Sequence, residues 1–245
     1  MRIAALIAVV GVLGGVAPAA TTPDQLLARV RAAEAAVRDI RADMVITDAN
    51  NANIAEMGKN YDDVLLMQSA SIYYKRPDKM RFDGSAKNIK VTVIQNGYKR
   101  LVLAAMLRKL DDVKDAPGKR QDTLDLGFLS SRLWTDNHVS ALAQGKDGVV
   151  KLKFDPRFGG PDKRHDIVWV DSATLKVLRR EKHSGDGAIR AKYTYSNFVM
   201  LAGKLPIATQ AKMHNAAGEF LGTVSYRNVR ANTGLSDSLF SLSTR

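Results

Sequence analysis

Apolar and polar residues alternate with a period of two along most of this chain. Met80 and Phe82 alternate with Lys79, Arg81 and Asp83, and Ile89, Val91 and Val93 with Lys90 and Thr92. Val150, Leu152 and Phe154 alternate with Lys151 and Lys153, and Ile189, Ala191, Tyr193 and Tyr195 with Arg190 and Lys192. A period of two sets one apolar face on a core and one polar face in water, the mark of antiparallel sheet. The stretch from Ile72 to Leu103 reads most clearly. Asn96-Gly97 separates two such runs and predicts a hairpin with positive φ at both turn positions. Pro77 cannot donate to a ladder, so it belongs at an edge or where one strand bends into the next.

Further strands follow the same pattern. Ile40, Ala42, Met44 and Ile46 share one face of a strand over 40–47, and 64–75 is extended. His165, Ile167 and Trp169 share a face, as do Ile207, Thr209, Ala211 and Met213, and then Phe220, Gly222, Val224 and Tyr226. An extended run over 175–183 carries Arg179, Arg180 and Lys182. Turn residues recur at 159–161, 171–174, 184–187 and 215–218, roughly every ten residues as in barrels and sandwiches. The expected fold is mainly β: one antiparallel sheet of about 11 strands. A sheet that wide must curl, giving an unclosed half-barrel with one apolar side.

Two segments break the alternation with helical spacing. Thr22-Pro23-Asp24-Gln25 starts a helix by a capping box with Pro at the first position, and Leu26, Val30, Ala33, Val37 and Ile40 form its buried stripe. In 122–135, placed on a helix, Asp125, Arg132 and Asp136 gather on one stripe. Leu124, Leu126, Phe128, Leu129, Leu133 and Trp134 occupy most of the remaining circumference. At ~1.5–3 kcal/mol per side chain, exposing six of them costs on the order of ten kcal/mol. The segment is therefore read as a lid helix in the mouth of the half-barrel, with Gly127 as a weak point. The Asn-containing stretch 48–63 and the basic stretch 108–121, with Pro117-Gly118, are expected to be loops.

Composition narrows the chemistry. The first 19 residues read as a signal peptide: Arg2, an apolar run from Ile3 to Val16 too short to span a bilayer, and Ala17-Pro18-Ala19 for cleavage. Residues 20–245 are then one exported domain. The chain has no Cys, which removes disulfides, thiolate catalysis and zinc–cysteine sites. The four histidines, His138, His165, His183 and His214, show no ligand spacing, so no metal is expected. No nucleophile elbow is present, and Asp62-Asp63 and Asp111-Asp112 point apart in extended chain, so no catalytic residue and no cofactor is assigned. The formal net charge of +12 favours acidic partners, but the cations are spread along outer strand faces and no nucleic-acid motif appears.

Ser71-Ile-Tyr-Tyr-Lys-Arg76-Pro77-Asp-Lys-Met80-Arg-Phe82 resembles the aromatic, Lys-Arg-Pro, apolar-x-apolar strand of the LolA periplasmic lipoprotein carriers. Gln95-Asn96-Gly97 is similar to that family's next hairpin, 122–135 falls where its lid helices lie, and Leu235-Ser-Asp-Ser-Leu-Phe240 resembles the close of the broader lipoprotein-sorting proteins. The resemblance implies an unclosed barrel of about eleven strands with a helical lid and an apolar cavity for acyl chains, without catalytic residues or cofactor. By motif position it carries over Arg76 as a polar contact of lid or cavity. The expected cavity lining is Met80, Phe82, Val91, Val93, Phe154, Trp169, Tyr193, Met213 and Val224, and the expected lid residues are Leu124, Phe128, Leu129, Leu133 and Trp134. The reading is a monomeric periplasmic carrier of lipoprotein acyl chains or lipid, taking cargo from an inner-membrane donor to an outer-membrane acceptor. The alternative is a lipid-sensing regulatory module that contacts one inner-membrane partner. An exported hydrolase is a third reading, and no motif supports it.

Overall fold

The computed structural model describes residues 21–56, 67–86, 89–145, 147–159 and 163–243. The expected signal peptide, and residues 57–63 of the expected 48–63 loop, lie outside the described residues. The chain opens with α1 (Pro23–Glu34), where Thr22 and Gln25 form the expected reciprocal cap and Leu26, Val30 and Ala33 are buried. Next come β1 (Asp39–Thr47), the short α2 (Asn51–Glu56), β2 (Ser69–Lys75), β3 (Lys79–Ala86), β4 (Ile89–Asn96), β5 (Lys99–Ala104) and β6 (Leu107–Asp112). After a long crossing segment come α3 (Ser131–Asp136), β7 (Asn137–Gln144), β8 (Val149–Pro156), β9 (His165–Asp171), β10 (Val177–His183), β11 (Ile189–Leu201), β12 (Leu205–Asn215) and β13 (Phe220–Ala231).

All 13 described strands form one antiparallel sheet in the order β6-β5-β4-β3-β2-β1-β13-β12-β11-β10-β9-β8-β7. Two meanders are joined where the first strand pairs with the last, Met44 opposite Tyr226 and Ile46 opposite Val224. The free edges, β6 and β7, are consecutive in the chain. The connection between them, 113–136, therefore has to cross the open side of the sheet. This is the expected unclosed half-barrel, with two strands more than about 11. β6 falls in a stretch read as loop, because its LRKLDD sequence has little apolar alternation. β7 follows α3 without a turn residue and is mostly exposed, so no burial pattern marks it.

Three further expectations are corrected. The hairpin after β4 turns on Gly97-Tyr98, since Asn96 pairs with Lys99; only Gly97 has positive φ (61°), the arrangement of a Gly-X turn. The 48–63 stretch includes α2, whose Ile54 packs on the core. The crossing segment is not one helix. Asp122 caps a 3-10 turn over Thr123–Leu126, Gly127 leaves it in the left-handed region (φ 70°), and residues 128–130 run without helix to α3. A Cβ on Gly127 would lie 2.7 Å from the Cβ of Ala208, so close approach to β12 and backbone hand both select glycine there.

The main core fills the concave side of the sheet, with α1 and the crossing segment packed into it. A smaller cluster on the other face joins Ile94 and Leu101 to Phe240 of the C-terminal tail, with Leu235, Leu239 and Leu242 against it. Among the described residues no helix is long and apolar enough to cross a membrane.

Candidate functional site

The groove predicted from strand alternation is present, and the crossing segment fills it. Met80, Phe82, Val93, Phe154, Met213 and Val224 are buried on the concave side, with Val91 and Tyr193 partly buried against the same core. Leu124, Phe128, Leu129, Leu133 and Trp134, together with Leu126, lie among them, each no more than 8% exposed. The ring of Phe128 meets Tyr74 edge-on at 5.5 Å, and Trp134 meets Phe154 edge-on at 5.6 Å. The segment is thus a plug with apolar surface on all sides.

Trp169 is not brought to this groove. Its neighbours Val168 and Val170 are the buried residues of β9. The indole lies on the outer face between Lys151 (4.9 Å) and Arg179 (4.7 Å). His165, Ile167 and Trp169 do share a strand face, but it is the solvent face. The register shows why: Lys151 stands opposite Trp169 and Val150 opposite Val170, and residues opposite one another point to the same side. Pairing β9 against the clearer alternation of β8 was the signal that could have found it.

The plug is held by a polar set that the alternation pattern missed. Tyr195 donates its hydroxyl to the carbonyl of Leu124 and Tyr226 to that of Asp125, both at 2.7 Å, while the Ala208 amide donates to Gly127 at 3.3 Å. Burial raises both tyrosine pKa values, so both remain donors. Arg180, 3% exposed, sits at the centre of three carboxylates: Asp166 at 2.5 Å, Asp125 at 2.7 Å and Asp122 at 3.1 Å. Lys182 reaches Asp125 at 3.4 Å. Two of these carboxylates belong to the plug and one to the sheet, so the guanidinium clamps one to the other. Burial pushes the Asp122 carboxyl up to about 6, against the pull of Arg180. Burial also acts on Asp125, but Lys182 and Arg180 outweigh it and hold that carboxyl below its usual value.

Arg180 faces inward because of a bulge. Val177 pairs with Val170 and Arg179 with Trp169, so Leu178 is the extra residue. Beyond it the parity of β10 is reversed, and Arg180 lies opposite the buried Val168. Simple alternation from Val177 would have sent Arg179 inward.

A second clamp holds α3. The buried Glu34 carboxylate accepts the Ser131 amide at 3.0 Å and the Ser131 hydroxyl. Arg76 donates to the Glu34 carbonyl at 2.8 Å and pairs with its carboxylate at 3.4 Å. In this structure Arg76 thus meets the plug through Glu34. Arg132 of α3 bridges Asp78 of the β2–β3 turn at 2.7 Å and Asp136 at 2.9 Å, and Tyr98 donates to Asp136 at 2.7 Å.

Where the plug meets the sheet ends, a cleft of ≈ 120 Å³ opens to solvent. Its floor is apolar, from Tyr74, Met80, Leu124, Leu133 and Phe154, and its walls carry Arg120, Arg132, Arg164, Arg180, Lys182 and Arg190. No group of three or more metal-ligating side chains occurs among the described residues.

No family model matches this sequence, and no curated protein matches it. Solved structures do. The chain is similar to a LolA superfamily protein from Nitrosomonas europaea, with 15% identity, a TM-score of 0.60 and coverage of 91% of this chain and 98% of that one. It is also similar to a DUF1329 family protein from Desulfovibrio piger (14%, TM-score 0.55, 88% and 94%). This is a LolA-like fold. A putative outer membrane lipoprotein-sorting protein domain from Vibrio parahaemolyticus shares it as well, at 15% identity and a TM-score of 0.52 over 88% and 95%. At these identities the likeness concerns the fold. In that LolA-like frame the concave side of the sheet is where the plug lies.

Proposed function

We propose that this protein is a periplasmic carrier that takes the acyl chains of a lipoprotein or lipid into the groove now filled by the plug, and passes them from an inner-membrane donor towards the outer membrane. The observation that carries the reading is that the groove's contents are a connecting segment outside the sheet. Residues 122–135 contribute six large apolar side chains but reach the strands mainly through side-chain clamps and one main-chain bond, Ala208 to Gly127. Such a guest can be exchanged for another. About a dozen buried methylenes at ~0.8 kcal/mol each are worth on the order of ten kcal/mol, the same scale as the six plug side chains. Loading and release are then nearly balanced, and transfer needs no energy source inside the protein.

The test uses Trp134, because displacement of the plug moves it while Trp169 stays on the outer face. In a Trp169→Phe background Trp134 is the one remaining tryptophan. Titration with a monoacylglycerol micelle or a diacylated lipopeptide should shift its emission to the red, and Met80→Glu should abolish the shift by placing an unpaired charge in an apolar site. An emission spectrum that stays fixed while native mass spectrometry shows bound acyl chains would mean that the chains bind elsewhere.

A further inference from the structure

Hairpin tips of the second meander are polar, as turns in water usually are: Asp171 and Thr174, Ser184 and Asp186, and Asn215 mark three of them. The turn between β5 and β6 is different. Ala104 pairs with Leu107, so Ala105 and Met106 form its apex. Met106 is 102% exposed, so no described residue covers it, and Leu107 and Ile89 are about half exposed. Ala105 takes a positive φ of 47°, a backbone that glycine or asparagine holds with less strain. Both apex positions thus depart from ordinary turn chemistry, and both depart towards apolar side chains.

The surroundings of the apex select what covers it. Ala104 stands opposite both Val91 and Leu107, and residues opposite one another share a side. Val91 packs against the main core, so Leu107 carries the groove's own apolar side out to the free edge of the sheet. Ile89 lies two residues further along β4, beside the apex. On β4–β6 the ionisable residues nearest the apex are Lys90, Arg108 and Lys109. Arg108 also donates to the carbonyl of Leu242 at 3.5 Å, and Lys109 pairs with Asp111 at 3.4 Å. With Asp111 counted the formal charge of this end is +2 (3 − 1). Asp111 sits about 16 Å behind Met106 along the strand, so the cations stand nearer the apex than the carboxylate does. A protruding, flexible Met fits a deformable apolar layer, and cations just behind it reach the level of lipid headgroups. A second copy would bring the same cations face to face, and like charge opposes pairing of two such apices.

We propose that the β5–β6 apex, Met106 and Leu107 beside Ile89, docks in the surface of an anionic lipid bilayer, with Lys90, Arg108 and Lys109 at the headgroups. The membrane contact stands on the apex alone; that it brings the edge of the groove to its cargo rests on the carrier reading.

Flotation of the mature protein with two kinds of vesicle tests this: phosphatidylcholine alone, and phosphatidylcholine with phosphatidylglycerol in equal parts. The expected result is that wild type binds the mixed vesicles at least about tenfold more tightly than the uncharged ones, and that this binding falls as salt rises. Met106→Asp should weaken binding to the mixed vesicles at least about tenfold, and Met106→Leu should retain it. Met200→Ser alters an exposed methionine at the opposite end of the strands and should leave binding unchanged. Because Met106 is exposed, Met106→Asp should unfold at the wild-type temperature, which shows that the variant is folded. If wild type binds neither vesicle, or binds the two alike, or if Met106→Asp binds as wild type does, the proposal is overturned. Sedimentation velocity that shows a wild-type dimer and a Met106→Asp monomer, without vesicle binding, would make the apex a contact between copies and overturn it too. Dihexanoylglycerol, which needs no bilayer, reads the groove separately. Its affinity should be the same in wild type and Met106→Asp; if wild type binds mixed vesicles through Met106 but not dihexanoylglycerol, the membrane contact stands and the carrier reading falls.

Discussion

Both faces of the sheet are covered by a stretch of chain that is not part of it, and the two coverings are built differently. On the convex side the C-terminal tail lays Phe240 over Ile94 and Leu101, with Leu235, Leu239 and Leu242 around it. Its ionic attachments are Lys75 and Lys79 to Asp237, at 3.1 and 2.7 Å, and 68% of the Asp237 side chain is exposed. On the concave side the plug buries six large apolar residues, and among its ionic attachments is Arg180, whose side chain is 4% exposed. An ion pair in water is screened and worth little, whereas a desolvated one is costly to break from one side. The tail is therefore held by its apolar contact and by hydrogen bonds, with Asp39 accepting from Thr233, Gly234 and Leu235 and with Lys75, Arg81 and Asn96 donating to tail carbonyls, rather than by a desolvated ion pair. The plug is held by apolar contact and by an electrostatic clamp, and two covers of one sheet should respond differently to the same kinds of change.

Removing the clamp is the most severe test of that contrast. Arg180→Met leaves Asp122, Asp125 and Asp166 together with only Lys182 to offset them. Breaking a buried charge cluster from one side costs about 3–5 kcal/mol. Lys79→Ala on β3 removes the pair with the exposed Asp237 of the tail and should cost less than about 1 kcal/mol. Urea denaturation of both variants measures the difference; equal losses would show that the Arg180 cluster is solvated and that the two covers are alike.

Truncating the apolar contact sharpens the comparison in function. Leu129, 1% exposed, lies in the plug, and Leu129→Ala should destabilise the free protein by about 2–5 kcal/mol. If acyl chains displace the plug, part of that loss returns as tighter binding, because less apolar surface has to be moved aside. Phe240→Ala destabilises through the tail and should leave acyl affinity as it was. The quantity to follow is dihexanoylglycerol affinity in the two variants, measured at a temperature where both are folded. Affinity unchanged in Leu129→Ala would make the plug a fixed part of the core.

Most of the fold was legible because alternation is a local signal that survives wherever one strand face is buried. It identified most strands and the α1 cap. It failed where burial does not alternate: β6 and β7 are edge strands, largely exposed, and their residues are not sorted by face. The plug was legible as apolar surface that could not be left in water, but not as a shape, since the helical projection ignored the backbone reversal at Gly127. Within the candidate site the apolar residues other than Trp169 lie on the core-facing side of the sheet, the face that their parity indicates. The charged ones were not legible in this way, because Arg180 depends on the one-residue bulge at Leu178 and Glu34 on the packing of α1 against α3. Such features arise from pairing between distant segments, which a single strand's pattern does not carry.

The smallest expected effect comes from the proton balance of the clamp. Three carboxylates, Asp122, Asp125 and Asp166, face two cations, Arg180 and Lys182, so the cluster has room for one proton. Burial raises the Asp122 carboxyl from 3.8 to about 6. A group whose pKa is higher in the folded chain than in the unfolded one binds its proton more tightly when folded. The stability it contributes is therefore fully present below about pH 4 and lost as the pH rises through about 6. Asp125, held below 3.8, acts in the opposite sense and loses its contribution as the pH falls, which offsets part of the change in acid. The effect is further reduced because 32% of the Asp122 side chain remains open to solvent. In Asp122→Asn the offset between variant and wild-type stability should change between pH 4 and pH 7, with wild type losing ground as the pH rises. A tail variant, Asp237→Asn, should show no such trend in that window, because its carboxyl is held below its usual value by Lys79 and Lys75. Carboxyl carbon NMR gives the direct reading: one side-chain resonance titrating near pH 6 in wild type and missing in Asp122→Asn. A wild-type spectrum in which every aspartate titrates below pH 5 would show that the clamp carries its full negative charge at neutral pH and that the plug is held without a proton to spare.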